Sequence, residues 1–269
     1  MQMAVENFNP VFLLSPAIPI IFSFALLFYW RYRKSFRWMI LVYALIAYAG
    51  AIFIKSVFQY FTALPFINYF GSVSVATGLY YGLQTSLLEV GLAYVVIRYA
   101  IRRHDYESKY ASSYGISLSF WENGILLGVY PLINLALSYI LISANLAGLS
   151  QLLSDTLMKS EPGLFAPTLQ ALPSIGLSGI ERTSSLFAHY SWGVLVFLSV
   201  TRKKVSYFLI ALPMGLIDAL VPYARVMGIY RFEAILFFIT VIFLAIVILV
   251  QKRNVDNIQE SSPPSNSGN

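Results

Sequence analysis

The stretch from Gly176 to Pro222 reads GLSGIERTSSLFAHYSWGVLVFLSV (176–200), TRKK (201–204) and VSYFLIALPMGLIDALVP (205–222). Two apolar runs flank a short basic break, and each run is near the ~20 residues that cross ~30 Å of hydrocarbon as a helix. Glu181, Arg182, His189 and Asp218 lie inside those runs. An ionisable group at membrane depth loses at least ~2.5–3.5 kcal/mol on desolvation, so it marks a functional position by default.

The rest of the chain has the same character. Of 269 residues, 58% are hydrophobic and only 11% charged, where soluble domains carry about 25% charged residues. Mean hydropathy is +0.70, which belongs to polytopic membrane proteins. There is no cysteine, which excludes disulfides, thiolate chemistry and Cys-ligated zinc. The first apolar run has no basic residue before it and four after it, so it is expected to stay as a helix.

Seven spans are expected, at 11–30, 38–61, 75–101, 116–146, 177–200, 205–226 and 232–251. All should be helices, because lipid offers the backbone no other hydrogen-bond partners. The fold class is therefore all-α, a seven-helix transmembrane bundle forming one domain over residues 1–254. Residues 255–269, ending ESSPPSNSGN, read as a polar, disordered cytoplasmic tail.

Basic residues set the orientation. Arg31, Arg33, Lys34 and Arg37 follow the first span; Arg98, Arg102, Arg103 and Lys109 end the third. Arg202, Lys203 and Lys204 follow the fifth, and Lys252 and Arg253 the seventh, making 13 of the 18 Lys and Arg at alternate ends. Those ends should be cytoplasmic and the N-terminus outside. The net charge of +6 is thus mainly a topology signal rather than a nucleic-acid patch.

Local signals fill in the connections. Pro65 and Gly71 mark an outer loop at 62–74. Gly78/Gly82 and Gly124/Gly128 have the G-x-x-x-G spacing that lets helices approach closely, for internal packing or for a dimer face. Pro131 should kink the fourth span. Leu149, Leu152, Leu153 and Leu157 oppose Ser150, Ser154 and Asp155, which suits a short interfacial helix. Pro162, Pro167 and Pro173 then indicate a turn-rich segment.

The polar residues inside the spans form one set. Counted at ~1.5 Å per residue, Glu89, Glu122, His189 and Asp218 lie at overlapping depths, with Glu181 and Arg182 nearer the outer end. Glu181, Ser185 and His189 share a helix face that should point inward. Three readings compete. A metal site would draw on Glu122, His189 and Asp218, a poor donor set because the second of the two histidines, His104, falls in a loop. A proton or ion relay needs chained carboxylates and His. A packing network is the plainest reading, with Glu122 bonding its neighbours Trp121 and Asn123.

Four segments carry a resemblance: GLYYGLQTSLLEVGLAYVVIR (78–98), SFWENGILLG (119–128), GIERTSSLFAHYSWGVLVF (179–197) and KKVSYFLIALPMGLIDAL (203–220). Together they resemble the YhfC-type intramembrane metalloproteases, distant relatives of CAAX-processing and PrsW-like proteases, over roughly residues 75–222. The resemblance implies a Glu-Glu pair and an Arg in the first segment; here Leu88 precedes Glu89, and Leu92 takes the place of Arg. It implies a His before Glu122 and another before Asp218, where Leu118 and Met214 stand. Matching positions are Glu89, Glu122, Glu181, Arg182, His189 and Asp218.

A family enzyme would use metal-bound water and a Glu base, and the substitutions fall on that chemistry. The expectation is therefore a retained scaffold without catalysis, a pseudoprotease that binds no cofactor. Its role would be as a membrane subunit of a channel or translocation complex. DNA import in thermophilic archaea is the candidate, by likeness of size and span count. Small membrane subunits, a cytoplasmic ATPase and nucleic-acid cargo would be its partners, since the chain has no phosphate-binding loop. The alternatives are an active zinc-dependent intramembrane protease and an ion- or proton-coupled transporter.

Overall fold

The computed structural model describes residues 8–33, 36–144, 146 and 148–260. Among them the chain is helical: α1 Leu14–Arg33, α2 Trp38–Phe70, α3 Val75–Gln84, α4 Gly91–Arg103, α5 Ala111–Ser119 and α6 Tyr130–Ser143. There follow α7 Leu149–Ser160, α8 Thr168–Thr201, α9 Val205–Gly215, α10 Ala224–Met227 and α11 Ile229–Glu260. Wider π-helical segments, Thr85–Val90 and Phe120–Val129, join α3 to α4 and α5 to α6. A tighter 3₁₀ segment, Leu216–Tyr223, joins α9 to α10.

Among the described residues, six helical stretches are long and apolar enough to cross a membrane: Pro10–Tyr32, Trp38–Phe70, Ser108–Ser143, Thr168–Thr201, Val205–Met227 and Ile229–Arg253. The expected span at 75–101 is helical from Val75 to Arg103 but is not among them. Gln84, Thr85, Ser86 and Glu89 lower its apolar content, and all four are buried. Large side chains elsewhere face outward, with Ile21, Phe53, Phe61 and Phe238 each about two-thirds exposed or more. A soluble monomer rarely tolerates such a surface; a bilayer requires one.

The core is built around α8. Every residue from Ser191 to Ser199 is buried, as expected of a helix apolar all round. Where α8 crosses α5, a Cβ on Gly193 would lie 2.8 Å from the Cα of Gly115. Packing between membrane helices relies on this kind of close backbone approach. The G-x-x-x-G residues serve internal packing in the same way: a Cβ on Gly78 would meet the Ala219 carbonyl oxygen at 2.6 Å, and one on Gly128 would meet Ile20 at 2.7 Å.

Several connections differ from expectation. No loop opens at Pro65: α2 continues through it to Phe70, and the chain turns at Gly71, whose φ is +86°. Ser74 then caps α3 by accepting the Thr77 N–H at 3.1 Å. Pro173 lies inside α8, which starts earlier than the sequence suggests. Pro131 follows the π-helical segment, so the irregularity precedes the proline. Helix α7 exists, but Ser150 and Ser154 face the protein while Leu149 and Leu152 face outward. Its Ser150 hydroxyl donates to the Leu141 carbonyl at 2.6 Å, which satisfies a buried polar group within the fold. Helix α11 runs on to Glu260, taking in the first residues of the expected tail; 261–269 lie outside the described residues.

Candidate functional site

The three acidic residues at the heart of the site sit on irregular helix. Glu89 is on the π-helical segment Thr85–Val90, Glu122 on Phe120–Val129, and Asp218 on the 3₁₀ segment Leu216–Tyr223. Such local departures from α geometry recur at functional positions because they re-aim side chains. Pro213 weakens the end of α9, and the Ser86 hydroxyl donates to the Leu212 carbonyl there at 2.6 Å. A Cβ on Gly215 would lie 2.6 Å from the Cα of Ser86, so glycine is what lets this end of α9 close onto the π-helical segment. That closure brings Asp218 to Thr85.

Lys55 of α2 occupies the middle of the site. Its ammonium donates to Glu89 Oε1 at 2.7 Å, to Thr85 Oγ1 at 2.7 Å and to Asp218 Oδ2 at 3.2 Å. Thr85 also donates to Asp218. On the other side, Glu89 Oε2 lies 3.3 Å from His189 Nε2. His189 Nδ1 contacts Glu122 Oε2 and lies 3.0 Å from the Ser185 carbonyl. The Ser185 hydroxyl donates to Glu122 at 3.0 Å. Trp192 packs on the imidazole with ring centres 4.1 Å apart, and Tyr48 sits edge-on at 6.0 Å. The result is an unbroken polar chain, Asp218–Lys55–Glu89–His189–Glu122–Ser185, through the core. Chemically it can hold balanced charge or pass protons.

The chain lines a cavity of about 510 Å³, to which Glu181, Arg182 and Glu233 also contribute. Arg182 pairs with its neighbour Glu181. Five carboxylates thus face two permanent cations, Lys55 and Arg182, with His189 between two of the acids. Most of the expected polar set therefore converges: Glu89, Glu122, His189 and Asp218 form the inner chain, and Glu181 and Arg182 stand apart on the same cavity. Glu122 bonds across to α8 rather than to its neighbours. The Trp121 ring N–H instead donates to the Leu41 carbonyl at 2.9 Å, and Asn123 donates to Ser119 at 3.3 Å. His104, outside the set, lies 3.1 Å from the Tyr43 hydroxyl.

Sequence reasoning missed Lys55 and Glu233. Lys55 is the sole charged residue between Trp38 and Phe70, and Glu233 falls within the last span. The rule applied to the other intramembrane charges marks both.

Does the donor set suit a catalytic zinc, with three protein ligands and an open position? His189 is the cavity's one imidazole, and both its nitrogens face carboxylate oxygens. An ammonium already holds Glu89 and Asp218 and would repel a divalent ion sharing those oxygens. Leu118 and Met214, at the positions where the resemblance implies histidines, are 2% exposed and packed in the apolar cluster with Ala188 and Trp192. Among the described residues, no group of three or more His, Asp or Glu is arranged to hold a metal. The residues present do not fit a zinc centre.

No curated protein and no solved structure matches this chain. The family model described as YhfC intramembrane metalloprotease matches residues 16–243, wider than the four segments that first suggested it. Spanning most of the chain and all six residues of the expected polar set, that match places the protein in the YhfC intramembrane metalloprotease family.

Proposed function

We propose that this chain is a non-catalytic member of its family, a multi-pass membrane protein that keeps the protease scaffold and uses its polar cavity for binding or passage. The observation that carries this reading is Lys55. Its side chain supplies the positive charge between Glu89 and Asp218, so the acids are compensated from within. A buried carboxylate needs such a partner to remain charged. The same contacts support seven crossings, because they hold the Val75–Arg103 helix inside the bundle against α2; an N-terminus outside rests on the basic residues at alternate span ends. In its translocation form the proposal includes small membrane partners and a cytoplasmic ATPase, with DNA, the cargo first expected, not passing through this cavity. The excess of carboxylates in the cavity favours cationic segments over polyanions as what enters it.

A second reading, the active metalloprotease, draws on family membership and on Glu89 and Glu122 both meeting His189. One experiment separates the two. The purified protein is reconstituted into liposomes with a panel of fluorescent transmembrane peptides and supplied with zinc. The proposal expects no cleavage above that of protein-free liposomes. Cleavage abolished by His189→Ala or Glu122→Ala would refute it.

A further inference from the structure

We infer that the outer part of the cavity is a binding site for an organic cation, an amine or guanidinium group, anchored by the carboxylate of Glu233. Glu233 lies near the start of α11 and is only 2% exposed. Its Oε2 has no hydrogen-bond partner among the described residues. The other four cavity carboxylates are all engaged: Glu89 and Asp218 by Lys55, Glu122 by His189 and Ser185, and Glu181 by Arg182. Among the described residues lining the cavity, Glu233 alone has a fully buried carboxylate oxygen without a hydrogen-bond partner.

An unpaired buried acceptor is costly, and a charged one more so. Arg182, on the same cavity, makes its ion pair with Glu181 rather than with Glu233 and keeps Nη1 without a hydrogen-bond partner. A ligand carrying one positive charge and N–H donors would satisfy Glu233 and balance the acidic excess of the lining. Phe232, next to Glu233, also lines the cavity, and aromatic rings attract cations. At about 510 Å³ the cavity falls in the ordinary range for small-molecule sites, ~300–1,000 Å³. Neither a metal nor catalysis is required, so the inference stands or falls apart from the non-catalytic reading; metal content is measured separately.

The test is calorimetric titration of the purified full chain in detergent with butylguanidinium and with butylurea, its neutral counterpart of the same shape. The expected result is saturable binding of butylguanidinium at least about tenfold tighter than butylurea, a difference of ~1.4 kcal/mol. Glu233→Gln should lower the affinity for the cation at least about tenfold and leave butylurea unchanged. Equal affinity for the two probes, absence of saturable cation binding, or full affinity in a folded Glu233→Gln protein would each overturn the inference. If Glu233→Gln fails to fold, the comparison of the two probes on the unsubstituted chain decides alone.

Discussion

Replacing Lys55 with methionine should be among the most damaging single changes available in this protein. The substitution keeps the length of the side chain and removes its charge. It leaves Glu89 and Asp218 facing each other with no cation between them, where Lys55 Nζ now sits 2.7 Å and 3.2 Å away. Removing one partner of a buried ion pair costs about 3–5 kcal/mol, because the remaining charge stays desolvated. Asp218 is 35% exposed at its side chain, so water recovers part of that loss and the lower end of the range is expected. At ~2–4 °C per kcal/mol for a chain of this size, the unfolding midpoint should fall by about 6–12 °C.

The assay is thermal unfolding in detergent, followed by circular dichroism at fixed pH. Two companions sharpen it. The triple variant Lys55→Met, Glu89→Gln, Asp218→Asn removes the stranded charges and should recover most of the loss, as neutral replacement of a whole buried ion set usually does. Added zinc should raise the midpoint of Lys55→Met and not that of the unsubstituted chain, because deleting the ammonium frees carboxylate oxygens for a divalent ion. A midpoint unchanged in Lys55→Met, or a triple variant no more stable than the single one, would refute the charge-compensation argument.

Other substitutions probe how the site is assembled. Gly215→Ala drives a methyl group to within 2.6 Å of the Ser86 backbone. It should destabilise by about 1–3 kcal/mol through overpacking and pull Asp218 away from Lys55, which thermal unfolding and cysteine cross-linking between the two segments would detect. Ser185→Ala removes the hydroxyl that donates to Glu122 at 3.0 Å. A hydrogen bond to a charged group contributes about 1.5–3 kcal/mol, so a loss near the lower figure is expected in denaturant unfolding, with the helical content intact.

Much of this architecture was legible in the chain because lipid leaves few alternatives. Long apolar runs must be helices, and the charges inside them must find one another, so the sequence alone puts Glu89, Glu122, His189 and Asp218 in one neighbourhood. What stayed hidden depended on tertiary contact. Helix α2 passes through Pro65 where a loop was expected, although Leu64 and Tyr69 beside it are exposed; an apolar surrounding leaves the backbone no partners but its own. Ser150 and Ser154 of α7 turn inward together with Leu153 and Leu157, while Leu149, Leu152 and Asp155 stay exposed, so the helix does not divide by polarity alone. The π-helical segments under Glu89 and Glu122 have no periodicity signal of their own. Lys55 is hard to read from sequence because most basic residues here stand at span ends, where they report orientation. A lysine alone in the middle of an apolar run carries more information than any of those.

The central claim is that Lys55 provides internally the positive charge that a metal would supply in a catalytic relative. Elemental analysis of the full chain, purified without chelator after growth in zinc-supplemented medium, tests it most directly. The account predicts metal far below stoichiometric amounts and no change in metal content between the unsubstituted chain and His189→Ala. A stoichiometric, tightly held metal that disappears in His189→Ala would contradict it.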